Sequence, residues 1–204
     1  MSTPEIIILI VLIALVVFSL SWIIIPILRR RYVANHLVPH FGKRIYHIAL
    51  YNDFYLINQI NLKLDDDNEA HIDHLLFGEK YIYVIKDRYY DGALTGQARD
   101  VNWMFYQRFG RRGKFIANPF LLNRVRVEKL ALVTGLDPHF FISVIVTNDQ
   151  CLLDEIDTKD NATFIVKLKK LEKLIKTIEE REIEPIDPNQ LDRAVKDIHR
   201  LVKG

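Results

Sequence analysis

The apolar residues of the chain fall into one long uncharged run followed by shorter, patterned segments. The run extends from Ile6 to Ile25, with the sequence IIILIVLIALVVFSLSWIII. A helix needs about 20 apolar residues to cross roughly 30 Å of hydrocarbon, and helices buried in a protein core are usually shorter. The run therefore predicts a transmembrane helix, which we assign to residues 6–28.

The charges that flank this run predict its orientation. Arg29, Arg30 and Arg31 follow it, whereas the only charged side chain before it is that of Glu5. The basic start, shorter apolar region and small-residue cleavage site of a secretory signal are not present. By the positive-inside rule, we expect a single-pass protein of the cell membrane whose C-terminal domain is cytoplasmic.

The segment after the run predicts a helical connection and then a three-stranded meander. Residues 29–52 form a juxtamembrane segment that we expect to be partly helical, with a break near Pro39 and Gly42. Alternating or β-forming residues then recur, and Gly78-Glu79 provides a turn between the second and third groups. The predicted strands are residues 54–64, 70–77 and 80–87.

Helix signals dominate the second half of the chain, interrupted by two predicted strands. Asn118-Pro119 favours a helix that runs to about Thr134, and Asp187-Pro188, with Gln190 at the capping-box position, favours another. The apolar segment 140–147 predicts a strand covered on both faces, and hence a mixed sheet. A short strand at 163–166 and a helix at 168–181 complete the pattern. We expect an α/β domain over residues 53–166 and C-terminal helices over 167–204.

The charges of this domain are unevenly distributed. Residues 96–130 contain eight basic side chains against Asp100 and Glu128, whereas Asp149, Asp154, Glu155, Asp157 and Asp160 form an acidic stretch. This asymmetry suits a polyanion bound to one face, and it also fits two solvated surfaces of opposite sign. The candidate nucleic-acid-binding residues are Arg99, Arg108, Arg111, Arg112, Lys114, Arg124 and Arg126.

The single cysteine, Cys151, requires no oxidising compartment.

Several ordered motifs carry a resemblance to a known family. They are HIDHLLFGEKYIYVIKDRYYDGALTG, with a Gly-x-x-x-Gly-like turn at Gly92 and Gly96, then Trp103, NPFLLNRVRVEKL and ISVIVTN. Over roughly residues 40–150, the chain resembles the NERD (nuclease-related) domain of the restriction-endonuclease-like PD-(D/E)xK group. The resemblance implies a restriction-endonuclease-like mixed sheet flanked by helices. It also implies a Mg²⁺-dependent nuclease site built from an acidic residue on the first helix, an Asp on the second strand and a Glu-x-Lys on the third.

This chain departs from that catalytic pattern. Asp73 matches the second-strand Asp, but Lys86, Asp87 and Arg88 occupy the Glu-x-Lys positions, and residues 29–52 contain no Asp or Glu. Because side chains alternate along a strand, Lys86 and Arg88 share one face and Asp87 points to the other. We expect a salt bridge to Asp73 and no metal site, with Mg²⁺ as a cofactor only if the chain is an active nuclease.

Other arrangements of these residues stay open at this point. A β-bulge would turn Asp87 toward Asp73, Asp91 or Glu79 would substitute as ligands, and His71 with Asp73 would form a metal pair. His74 is expected to be packed or hydrogen-bonded. The aromatic residues Tyr89, Tyr90, Trp103, Phe105 and Tyr106 would stack on unpaired bases or fill the core.

The sequence as a whole predicts a membrane-anchored domain with an inactive nuclease site that binds nucleic acid or a protein partner. Two alternatives remain. One is an active metal-dependent nuclease with displaced carboxylates. The other is a membrane-anchored interaction module without nucleic-acid contact.

Overall fold

The structure, a computed structural model, describes residues 3–65, 68–108, 110, 112–153, 156 and 161–202. Its contacts divide the chain into two units, residues 1–40 and residues 41–204. The first unit is dominated by helix α1 (Thr3–Asn35). Within it, Val11–Asn35 is long and apolar enough to cross a membrane. The large side chains along this stretch, such as Phe18 and Trp22, are exposed, as expected of a helix surrounded by lipid.

The predicted break near Pro39 and Gly42 is wrong. Helix α1 ends at Asn35, and helix α2 (Leu37–Tyr51) begins two residues later. Pro39 therefore lies in the first turn of α2, where its missing N–H would have no helical partner in any case. The interruption falls at His36 instead.

The second unit contains two sheets and the remaining helices. In chain order, its elements after α2 are β1 (Tyr55–Asp65), β2 (Asn68–Phe77), β3 (Ile82–Arg88), β4 (Gly92–Thr95), β5 (Asn102–Gln107), β6 (Gly113–Ala117), α3 (Pro119–Thr134), β7 (Phe141–Thr147), β8 (Leu152–Leu153), β9 (Thr163–Lys167), α4 (Leu171–Glu179) and α5 (Pro188–Val202). Short 3-10 turns at Pro138–Phe140 and Leu168–Lys170 precede β7 and α4.

The larger sheet has the strand order β1-β2-β3-β7-β9 and confirms the predicted mixed sheet. Strands β1, β2 and β3 pair in antiparallel fashion, with a Gly78 N–H to Tyr81 carbonyl hydrogen bond of 2.9 Å closing the β2–β3 turn. Strand β7 runs parallel to β3, and β9 runs parallel to β7. Every residue of β7 is buried, as predicted for a strand covered on both faces.

Helices cover both faces of this sheet. On one face, Ile82 and Val84 of β3 share a buried cluster with Val127 and Leu130 of α3 and with Ile198 of α5. On the other face, the Tyr83 hydroxyl donates to Glu179 Oε1 at the end of α4, at 2.7 Å. Helix α2 lies on this second face as well, because Gly42 is adjacent to the His74 ring. The fold is therefore α/β, with helices flanking a mixed sheet.

A second, four-stranded sheet of order β6-β5-β4-β8 was not predicted. The expected element order had no strands between β3 and α3, and that expectation is wrong. Gly92 and Gly96 belong to β4 and its end and do not form a turn. A Cβ atom at Gly92 would overlap the backbone carbonyl of Tyr106, and one at Gly96 would overlap the ring of Trp103. These two positions therefore require glycine because neighbouring groups approach so closely.

Candidate functional site

The site forms where strands β2 and β3 separate. Their paired residues run from Phe77 and Ile82 to His74 and Ile85, and the ladder ends there. One step further along, the carboxylate of Asp73 enters the gap, and its Oδ2 accepts a hydrogen bond from the backbone N–H of Asp87 at 2.8 Å. A side chain thus satisfies a buried backbone donor that the neighbouring strand no longer reaches. We call this region the β2–β3 fork, defined by Asp73, Lys86, Arg88 and Arg126.

Lys86 holds the second oxygen of this carboxylate. Its Nζ lies 2.6 Å from Asp73 Oδ1, and each of the two side chains is 10% exposed. His71 Nε2 lies 3.1 Å from the same oxygen. The ion pair expected between Asp73 and Lys86 is therefore present, and both oxygens of Asp73 are engaged.

Asp87 points to the opposite face of the sheet. Its Oδ2 lies 2.8 Å from His74 Nε2, and His74 Nδ1 lies 2.6 Å from Asn58 Oδ1. The other oxygen of Asp87, Oδ1, is buried without a hydrogen-bond partner. Burial raises the pKa of Asp87 above its ordinary value, and the hydrogen bond from His74 opposes that rise.

The structure does not contain the bulge that would redirect Asp87. Strand β3 pairs with β7 in one unbroken register from Ile82 to Arg88. Side chains therefore alternate regularly along β3, so that Lys86 faces Asp73 while Asp87 faces His74. The predicted hydrogen bonding of His74 is confirmed.

Two arginines complete the fork on the α3 face. Arg126 of α3 donates from Nε to the His71 carbonyl at 2.8 Å and from a guanidinium nitrogen to the Leu122 carbonyl at 2.8 Å. Burial lowers the pKa of Arg126, the charge of Arg88 lowers it further, and Asp73 opposes both effects. Arg88 follows Lys86 on the same strand face. The face thus carries three cations, Lys86, Arg88 and Arg126, around one carboxylate.

The residues of the fork do not fit a Mg²⁺ ion. Such an ion takes oxygen ligands, usually one or two carboxylates with water and phosphate oxygens. Asp73 has no free oxygen, and Asp87 is bound to His74 across the sheet. Among the described residues, no group of three or more His, Cys, Asp or Glu side chains is placed to hold a metal. Glu79 precedes β3 at its opposite end, far along the strand from Lys86.

The predicted nucleic-acid-binding residues lie on several elements of the domain. Arg99 is exposed in the turn before β5, and Arg124 is exposed on α3. Arg108, Arg112 and Lys114 lie at the β5–β6 hairpin, where the Lys114 ammonium is 5.4 Å from the centre of the Phe105 ring. Arg126 instead reaches the fork. Arg111 lies outside the described residues, as do Asp154, Glu155, Asp157 and Asp160 of the acidic stretch.

The aromatic residues are mostly part of the core. Trp103 is fully buried, with its ring centre 4.9 Å from that of Phe120, and Phe105 is 8% exposed. Tyr90 packs against Phe105. Tyr106, at 48% exposure, retains a surface on which a base could stack.

Comparison with known proteins identifies the family. A family model described as "Nuclease-related domain" (NERD) matches residues 32–148, more than half of the chain. The chain belongs to the NERD family. No curated protein matches the sequence significantly. A solved structure, "Crystal Structure of Protein of Unknown Function AF1548", is similar with a TM-score of 0.35 and 12% identity over 78% of this chain and 77% of that one. This likeness is too distant to support any conclusion.

The NERD match contains every residue of the β2–β3 fork. The pattern of the sequence placed Asp73, Lys86 and Arg88 together, but it did not associate Arg126 with them. Arg126 occurs in a run of basic residues, and only the packing of α3 over β3 distinguishes it from Arg124. Asn58 was also missed, because it is one polar residue among several on an alternating strand.

Proposed function

We propose that this protein is anchored by α1 in the cell membrane, with its NERD domain in the cytoplasm, and that the domain binds nucleic acid without cleaving it. The observation that carries the proposal is the 2.6 Å ion pair between Lys86 and Asp73. A cation of the protein itself is bound to the carboxylate that would otherwise hold Mg²⁺. Among the described residues, the fork thus offers no ligand set for metal activation of water at a phosphate, the chemistry of the family's nuclease pattern.

The lack of cleavage is tested with the full-length protein in a nonionic detergent. DNA and RNA are incubated with wild type and with Asp73→Ala in the presence of Mg²⁺ or Mn²⁺. We expect no more product from wild type than from the variant, which controls for contaminating nucleases. Cleavage by wild type that disappears in Asp73→Ala would support the alternative of an active nuclease with displaced carboxylates.

Nucleic-acid binding is supported by the exposed basic residues of the β5–β6 hairpin. Arg112 and Lys114 are exposed next to strand β5, which also carries Tyr106. Phosphates neutralised by such residues release counterions, so binding should weaken steeply as salt is added. Fluorescence anisotropy of a labelled single-stranded oligonucleotide measures this dependence.

A matched pair of variants tests the site of binding. Arg112→Glu with Lys114→Glu should abolish binding, whereas Lys170→Glu with Arg193→Glu, which makes the same charge change at exposed positions elsewhere, should preserve most of it. Absence of binding by wild type at low salt would favour the interaction module whose partner is a protein.

The orientation rests on Arg29, Arg30 and Arg31 after the apolar run. A protease added to intact cells should leave the NERD domain whole and should degrade it after the membrane is permeabilised. Digestion of the domain in intact cells would show the opposite topology.

A further inference from the structure

The charge of the β2–β3 fork is unbalanced on the face that α3 covers. Lys86, Arg88 and Arg126 contribute three positive charges, and Asp73 contributes one negative charge, which leaves two positive charges. The second carboxylate of β3, Asp87, lies on the opposite face, where it is hydrogen-bonded to His74. Partly buried cations of like sign destabilise one another unless an anion lies between them.

Strand alternation places Arg88 beyond Lys86 on this face, and Arg126 reaches the same face from α3. Lys86 is bound to Asp73 at 2.6 Å, so the remaining charge resides on Arg88 and Arg126. The Nε of Arg126 is anchored on the His71 carbonyl, and the charge of Arg88 acts on its guanidinium. Guanidinium groups present planar, bidentate donors that match the oxygens of a phosphate.

We propose that the β2–β3 fork binds a phosphate group between Arg88 and Arg126, with Lys86 neutralising Asp73 so that its carboxylate does not repel the phosphate. The fork of this NERD domain is thereby an anion site built by cationic side chains, in place of a metal site built by carboxylates. This inference rests on the proposed nucleic-acid binding for the source of the phosphate, but the site can be tested without it.

The connection between the fork and the β5–β6 hairpin favours the backbone of a nucleic-acid strand as that source. Arg108 donates its backbone N–H to the carbonyl of Asp91 at 2.9 Å, and Asp91 is three residues beyond Arg88. The hairpin with exposed Arg112 and Lys114 thus begins beside the end of β3. A strand with several phosphates can engage both places, whereas a free phosphate can occupy only the fork.

The experiment measures the thermal unfolding of the full-length protein in nonionic detergent with increasing inorganic phosphate at constant ionic strength. Wild type and the control Arg193→Gln, an exposed arginine of α5, should gain about 3 to 6 °C at a phosphate concentration ten times Kd. Arg88→Gln and Arg126→Gln should gain nothing. Equal gains in all four proteins would overturn the proposal.

Because Arg126→Gln also loses the hydrogen bond to the His71 carbonyl, the variant Arg88→Gln is measured beside it. Arg88→Gln removes a guanidinium that lies beside Tyr90 and is the variant that decides the result if Arg126→Gln does not fold. Arg126→Lys retains the charge and should retain part of the phosphate effect. An Arg88→Gln protein that responds to phosphate as wild type does would exclude the fork.

Oligonucleotide binding by the same proteins identifies the source. If the phosphate comes from a strand, Arg88→Gln should weaken binding about tenfold and make the plot of log K against log salt shallower by about 0.7 to 0.9. Oligonucleotide binding that is unchanged in Arg88→Gln would overturn the nucleic-acid strand as the source of the phosphate, while the proposed function stands. A phosphate effect that requires Arg88, without oligonucleotide binding by wild type, would support the site with free phosphate as its ligand and refute the proposed function.

Discussion

Replacing Lys86 with methionine should destabilise the domain strongly, because it removes one partner of a buried ion pair. The two side chains are each 10% exposed, and the Lys86 Nζ to Asp73 Oδ1 distance is 2.6 Å. Breaking such a pair on one side costs about 3 to 5 kcal/mol, mostly because a charge is left buried without compensation. In this variant, Asp73 keeps the backbone N–H of Asp87, the contact with His71 and the attraction of the Arg126 charge, which places the loss at the lower end of this range. We therefore expect a loss of about 3 kcal/mol.

The loss can be followed through the intrinsic fluorescence of the domain. The chain has two tryptophans, Trp22 in α1 and Trp103 in the second sheet. Trp103 is fully buried, so its emission should change when the domain unfolds. In a Trp22→Phe background, Lys86→Met should lower the melting temperature by about 6 to 12 °C, since each kcal/mol corresponds to about 2 to 4 °C in a chain of this size.

A double-mutant cycle separates the ion pair from general effects of the substitution. Asp73→Asn retains an oxygen that can accept from the Asp87 N–H, and it removes the charge that Lys86 compensates. Combined with Lys86→Met, it leaves neither charge unpaired, so the double variant should be more stable than Lys86→Met alone by about 1 to 2 kcal/mol. A Lys86→Met protein that melts within 2 °C of its background, or additive effects of the two substitutions, would refute this account of the fork.

Three further predictions concern other parts of the domain. Burial raises the pKa of the Cys151 thiol to about 11, so a disulfide reagent at about pH 8 should label it only after unfolding; labelling of the native chain at the rate of a free thiol would contradict this. Burial also raises the pKa of Asp87 from 3.8, so the folded state holds this proton more tightly than the unfolded state and wild type loses stability as the pH rises above that value. Asp87→Asn lacks this loss, and its stability relative to wild type should increase as the pH rises above that value, whereas a stability difference that does not change with pH would contradict it. Gly96→Ala should disrupt the packing of Trp103, whereas Gly135→Ala, at a position with φ 66° and nothing within 4 Å, should cost only about 1 kcal/mol; equal losses of melting temperature would refute the difference.

Where local chemistry determines an element, the sequence predicted its bounds. Helix α3 begins at Pro119 because Asn118 accepts a hydrogen bond from the Phe120 N–H at 2.9 Å, and it ends before Gly135, which has a left-handed backbone. The meander was predicted because its strands are long and rich in β-forming residues. These signals lie within the segments themselves, so no tertiary information was needed.

The second sheet was missed because its strands depend on distant partners. Strand β4 has four residues and pairs with both β5 and the two-residue β8, which lies more than fifty positions later. Strand β5 buries Trp103 and Phe105 but leaves Gln107 exposed, and β6 is mostly exposed. Short strands with incomplete alternation resemble loops until their partners are known.

The difference between local signals and tertiary contacts also explains which parts of the fork the sequence predicted. Alternation along β3 placed Lys86 and Arg88 on one face and Asp87 on the other, because that rule is local. The position of Arg126 in the fork depends on how α3 crosses the sheet. Asn123 helps to fix that crossing, because it donates a hydrogen bond to the Val84 carbonyl at 2.9 Å. No spacing in the sequence encodes that crossing.

Asp87 connects the two faces of the sheet. Its backbone N–H donates to Asp73 on the α3 face, and its carboxylate accepts from His74 on the α2 face. A shift of β3 that improved one of these contacts would strain the other, so the two networks restrain the strand together. This explains how an acidic residue can be buried beside the β2–β3 fork while its carboxylate points to the other face of the sheet. The buried His74 binds this carboxylate on the far face of the sheet. The carboxylate therefore does not neutralise Arg88 and Arg126, between which we propose that a phosphate binds.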